Sequence, residues 1–110
     1  MEQVNLPKDE LEKIINSIVS TVPTHSIYVF GSYARGEETK DSDIDIYVLT
    51  NKKENKIDFN AMADIGVALW GLRKAKDIIC LSKEEFDKRA NRNTGLERVV
   101  AKEGIKIYGE

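Results

Sequence analysis

Apolar residues recur at Leu11, Ile14, Ile15, Ile18, Val19 and Val22, at i, i+3, i+4, i+7, i+8 and i+11, and this spacing predicts a helix over residues 7–22 with one buried stripe. Pro7 suits a first helical turn, and Pro23 closes the segment. Ile27-Tyr28-Val29-Phe30 then reads as a short strand ended by Gly31-Ser32, and a second strand runs from about Ile44 to Leu49. Asn51 to Asn55 is a polar turn. From Asp58, a capping residue, a long helix is expected, with Phe59, Met62, Ile65, Gly66, Leu69 and Leu72 on one side and Arg73, Lys74 and Lys76 at its C-terminal end. Asp77 to Leu81 is a third strand. Ser82-x-x-Glu85 and Thr94-x-x-Glu97 read as capping boxes opening two short helices, the second ending near Gly104, and Ile105 to Tyr108 alternates like a closing strand. The expected fold is α/β (α+β): one domain over residues 1–110, with a small mixed sheet of three to four strands flanked by helices.

Composition narrows the class. With 110 residues, 41% hydrophobic and 33% charged, the chain can bury a core, though a small one to which a partner could contribute. A net charge of −2 and the lack of a basic face argue against bulk binding to nucleic acid. The polar start Met1-Glu2-Gln3 is unlike a secretory leader, and no apolar run has membrane-spanning length, so a cytoplasmic protein is expected. Cys80, the single cysteine, lies in an apolar run and is expected as a buried thiol. His25, the single histidine, is assigned to a loop or cap between helix and strand. Trp70 is assigned to the core, with the alternative that Ala61, Val67 and Trp70 turn a second apolar side to a partner.

The chemistry concentrates in Phe30-Gly31-Ser32-Tyr33-Ala34-Arg35-Gly36 and Asp41-Ser42-Asp43-Ile44-Asp45. Strand alternation puts Asp43 and Asp45 on one face, with Ile44, Ile46 and Val48 facing the core. Adjacent carboxylates repel, and a hard divalent cation such as Mg²⁺ would neutralise them; an exposed strand face in water is the plainer alternative. Gly31-Ser32 opens a short helical turn where backbone amides and a hydroxyl can hold phosphate oxygens, and Arg35 offers a planar cation; an ordinary turn after a strand and a surface arginine are the plainer alternative. Asp77 begins a strand expected beside the first two aspartates; the plainer alternative is that it only ends the helix-to-strand loop. Three carboxylates near a phosphate-holding turn suit metal-assisted nucleotidyl transfer.

Gly31-Ser32, ten intervening residues, then Asp43-x-Asp45 resembles the Gly-Ser-x10-Asp-x-Asp signature of the DNA polymerase β-like nucleotidyltransferase superfamily. The text around it, and the ending Val99 to Glu110, resemble its minimal nucleotidyltransferase (MNT) branch, with likeness from about Thr24 to Tyr108. The resemblance implies the nucleotidyltransferase fold. It gives Gly31 and Ser32 to the nucleotide phosphates and Arg35 to triphosphate binding. It makes Asp43 and Asp45 ligands of one or two Mg²⁺ ions, and Asp77 a third metal ligand and general base. One departure stands out. Many relatives carry a second Ala-Arg pair where this chain has Glu37-Glu38-Thr39-Lys40, so either Lys40 replaces that cation or the loop is less basic.

At this length no thumb and finger domains are expected. The minimal members it resembles act as antitoxins beside a helical HEPN ribonuclease, transferring AMP from ATP to a toxin tyrosine within a hetero-oligomer. That is the leading expectation. The alternatives are an antitoxin that acts by binding alone, and a small-molecule or RNA nucleotidyltransferase working with a separate substrate-binding subunit.

Overall fold

The structure, a computed structural model, describes residues 4–109, so Met1-Glu2-Gln3 and Glu110 lie outside the described residues. The elements follow in the order α1 (Lys8–Thr21), β1 (Thr24–Phe30), α2 (Ser32–Arg35), β2 (Ile44–Thr50), α3 (Phe59–Ala68), β3 (Lys76–Ser82), α4 (Lys83–Ala90), α5 (Leu96–Glu103) and β4 (Ile105–Tyr108). The sheet is four-stranded and mixed, in the order β3-β2-β1-β4. β1 runs antiparallel to both β2 and β4, whereas β2 and β3, joined through α3, are parallel.

Both faces of the sheet are covered. On one, Ile14 and Ile18 of α1 and Ala61 and Ile65 of α3 pack on Ile27, Val29, Ile44, Ile46, Val48 and Cys80. On the other, Phe86 of α4 and Val100 of α5 pack on Phe30, Tyr47, Leu49 and Leu81. Each fully buried aliphatic contributes about 1.5–3 kcal/mol relative to exposure. The face of β2 that carries Asp45 is therefore core from Tyr47 onward, and polar only at its first residue. Tyr47 meets Phe86 edge-on at 5.2 Å and donates its hydroxyl proton to Glu97 Oε2 at 2.9 Å, which satisfies a polar atom that burial would otherwise penalise. Cys80 is buried as expected, and burial pushes its thiol up to about 12.

Two caps form as the sequence indicates. Asp58 accepts from the Ala61 amide at 3.0 Å, and Ser82 from the Glu85 amide at 3.1 Å. Other expectations are corrected. α5 starts at Leu96 with Gly95 before it, and no Thr94 side chain caps it. His25 lies inside β1, which starts at Thr24, with its Nδ1 3.0 Å from Ser26 Oγ. α3 stops at Ala68, so Arg73, Lys74 and Lys76 belong to the connection and to β3 rather than to a helix end. Phe59 and Trp70 are not core residues: they are 72% and 88% exposed, with Val67 at 75%. Among the described residues no helix is long and apolar enough to cross a membrane.

Candidate active site

β1 ends at Phe30, and the chain breaks from the sheet through Gly31, whose φ of 72° and ψ of −148° belong to glycine. The Gly31 carbonyl accepts from the amides of Ala34 at 3.1 Å and Arg35 at 3.2 Å, which winds the single turn of α2. Tyr33 is buried beneath that turn and pins it to the core. Gly36, at φ 70°, ends the turn, and the Glu37 amide donates to the Ser32 carbonyl at 2.9 Å. The loop then tightens, with the Thr39 amide donating to Ser42 Oγ at 2.8 Å, before the Ile44 amide joins the sheet through Ala75 O at 2.9 Å.

Pairing register brings the distant parts together. Asp45 stands opposite Phe30 of β1 and directly beside Asp77 of β3. Neighbouring strands lie about 4.8 Å apart, so both carboxylates start from one end of one sheet face. The Asp45 carboxylate turns back over Gly31, where any β-carbon would overlap its Oδ2. This contact explains why the glycine of the first motif half and the second aspartate of the other belong together. Asp43 precedes β2 and is exposed, as is Asp77, while Asp45 is half-buried.

Gly31, Ser32, Arg35, Asp43, Asp45 and Asp77 all line one open cleft of ≈ 420 Å³. Asp41 and Ser42, part of the same stretch but given no role from sequence, line it as well; their position immediately before Asp43 was the available signal. Lys40 is not among the residues that line the cleft. A larger groove of ≈ 850 Å³, bordered by Lys52, Lys56, Phe59 and Lys88, lies at the opposite end of β2 and β3 and gathers no aspartate set on the sheet. Chemistry, not size, picks the smaller cleft.

Burial raises the carboxyl pKa of Asp45, and the charges of Asp77 and then Asp43 push it further up against an opposing pull from Arg35. Arg35 is itself engaged elsewhere. Its Nε–H donates to Glu37 Oε1 at 2.9 Å, and a terminal nitrogen lies 3.9 Å from Glu103 Oε2 of α5. Among the described residues no three acidic, histidine or cysteine side chains already enclose a space for a metal ion. The donor set nonetheless fits a hard divalent cation: it is all oxygen, and a cation would relieve the repulsion that raises Asp45.

A nucleotidyltransferase domain family model matches residues 9–107. The Methanocaldococcus jannaschii protein named "Putative protein adenylyltransferase MJ0604" is 32% identical over 106 residues, covering 88% of this chain and 97% of its own. Among solved structures, a toxin–antitoxin complex with AMP-PNP aligns at TM-score 0.69 and 25% identity, over 91% of this chain and 73% of that one. A complex of a tri-AMPylated Shewanella oneidensis HEPN toxin with an MNT antitoxin shares the fold at TM-score 0.60 and 22% identity, over 94% and 72% of the two chains.

Proposed function

The chain belongs to the nucleotidyltransferase domain family, and from that premise we propose that it is an antitoxin that transfers AMP from ATP to a tyrosine hydroxyl of a HEPN-type toxin protein. The observation that carries this reading is the in-register pairing of Asp45 with Asp77 beside the Gly31 turn. Residues 1–110 act as one minimal domain in the cytoplasm, in a hetero-oligomer with the toxin.

Asp43, Asp45 and Asp77 would hold one or two Mg²⁺ ions, whose chemistry is to neutralise the phosphates and make the α-phosphorus a better electrophile. Gly31 and Ser32 bind phosphate oxygens through backbone amides and the Ser32 hydroxyl. Arg35 steadies the triphosphate once it exchanges its carboxylate partners for phosphate. An Asp77 carboxylate oxygen takes the tyrosine proton, the tyrosine oxygen bonds to the α-phosphorus, the bond to the β-phosphate bridge breaks, and pyrophosphate leaves.

The test uses ATP labelled at the α- or the γ-phosphate with the product of the neighbouring gene, whatever its fold. Label from the α-position is expected on a tyrosine of that protein, with γ-label recovered as pyrophosphate. Neutralisation of the toxin with no label on it would establish binding alone, and label on RNA or a small alcohol would assign a different acceptor.

The acidic loop makes a separate prediction. Exposed ion pairs are screened by solvent and contribute little, so Glu37 holds Arg35 only weakly against a triphosphate. Glu37→Gln is expected to lower the KM for ATP about two- to fivefold with kcat nearly unchanged. An unchanged KM in steady-state assays would show that the pair does not compete with nucleotide.

A further inference from the structure

α3 and the turn after it carry only two polar residues from Phe59 to Leu72, Asn60 and Asp64. An amphipathic surface helix turns one apolar side inward and a polar side outward; a helix that is apolar all round is buried all round. Here Ala61, Ile65 and Leu69 face the core, yet Phe59, Ala63, Gly66, Val67 and Trp70 form a second apolar stripe in solvent. The stripe runs about 16 Å along the helix direction. Its middle is small, at Ala63 and Gly66, which lets another backbone come close.

The stripe leads to the free edge of β3. Beyond Trp70 a recess of ≈ 410 Å³, bordered by Trp70, Leu72, Lys74, Lys76 and Ile78, follows the free edge of β3. The residue after Lys76 is Asp77, which turns to the other face of this edge strand and forms a wall of the catalytic cleft. Charge marks the same end. Lys13 lies over Gly71, and Arg73 and Lys74 form no ion pair among the described residues. Lys76 points its ammonium into the carbonyls of Leu72 and Lys74.

We infer that this outer side of α3, continued over the β3 edge, is the docking surface for the acceptor protein, which lays on it an apolar helix flanked by carboxylates. The inference rests on the proposed transfer to a protein. Charge selects the occupant: a second copy related by a two-fold at Trp70 would set Lys13, Arg73 and Lys74 against themselves, and the stripe offers only Asp64 in return. A docked acceptor helix would present its tyrosine from the β3 side, where Asp77 is exposed.

The experiment compares the wild type with Val67→Ser/Trp70→Ser and with Arg73→Glu/Lys74→Glu, using the product of the neighbouring gene as acceptor. All four positions lie outside the core, so folding is expected to be retained. A rise of about 30-fold in the KM for the acceptor, with ATP affinity unchanged, is expected for the serine pair, and a smaller rise that grows at low salt for the charge reversal. An unchanged acceptor KM while the wild type labels its acceptor would overturn the docking surface and leave the transfer intact. Should the wild type label nothing, the transfer reading fails, and complex formation read by size-exclusion chromatography still decides the surface: it is sustained only if the serine pair loses the complex. A wild-type dimer that the serine pair dissolves would instead assign the stripe to a second copy.

Discussion

Asp45→Asn is expected to reduce AMP transfer by about 10²–10³-fold or more while raising the thermal midpoint of the metal-free protein. Activity falls because the variant loses the charge that would hold the metal and complete the cleft. Stability rises because Asp45 is the half-buried member of three carboxylates and receives the repulsion of both others. Solvent screens a part-exposed carboxylate, so the gain is modest and the midpoint is expected to rise by a few degrees. Calorimetry without metal, beside a labelled-ATP assay, checks both halves. A lower midpoint for the variant would mean that the aspartate is a structural partner rather than a strained one.

The same cause fixes the sign of the pH response. The folded-state pKa of Asp45 is raised, so the native protein holds that proton more tightly than the unfolded chain. Stability therefore falls as pH rises from the ordinary carboxylate value to the raised one, and the cost stays at its full value above it. The gap in midpoint between Asp45→Asn and wild type should be smallest in acid and widen through that window. Millimolar Mg²⁺ should narrow it by stabilising only the wild type.

Much of this site was legible because its logic is local. Gly31-Ser32 and Asp43-x-Asp45 sit at the end of one strand and the start of the next, so chain spacing nearly equals spatial arrangement. Asp77 was harder, and became readable only because a strand–helix–strand unit sets parallel strands side by side. The ties on Arg35 were half visible: Glu37 is two residues away, but Glu103 arrives from α5 through folding. The misassignment of Trp70 and Phe59 has a different origin. When nearly every position of a helix is apolar, periodicity cannot tell which side meets the sheet, and the stripe through Ala61, Ile65 and Leu69 takes the core. Tyr47 was hidden for a related reason: a central strand covered on both faces shows a continuous apolar run rather than alternation.

Gly31→Ala should be the most damaging small substitution, costing about 3 kcal/mol or more and about 10²-fold in transfer. Two effects combine. A β-carbon at φ 72°, ψ −148° carries a backbone penalty of about 1–3 kcal/mol, and it also overlaps Asp45 Oδ2, which must swing away. Displacing a reacting group by about 1 Å costs about 10²-fold in rate. Gly36→Ala separates the two effects, because Gly36 also has a positive φ, 70°, but open space where its β-carbon would go. That variant should lose only about 1 kcal/mol and keep transfer within a few-fold of wild type. Equal losses in urea titrations of the two variants would show that the contact with Asp45 contributes nothing. A double-mutant cycle locates the difference: with Asp45 cut back to alanine, Gly31→Ala should cost no more than its backbone penalty. The coupling read from that cycle measures how tightly the Gly31 turn and the start of β2 are built against each other.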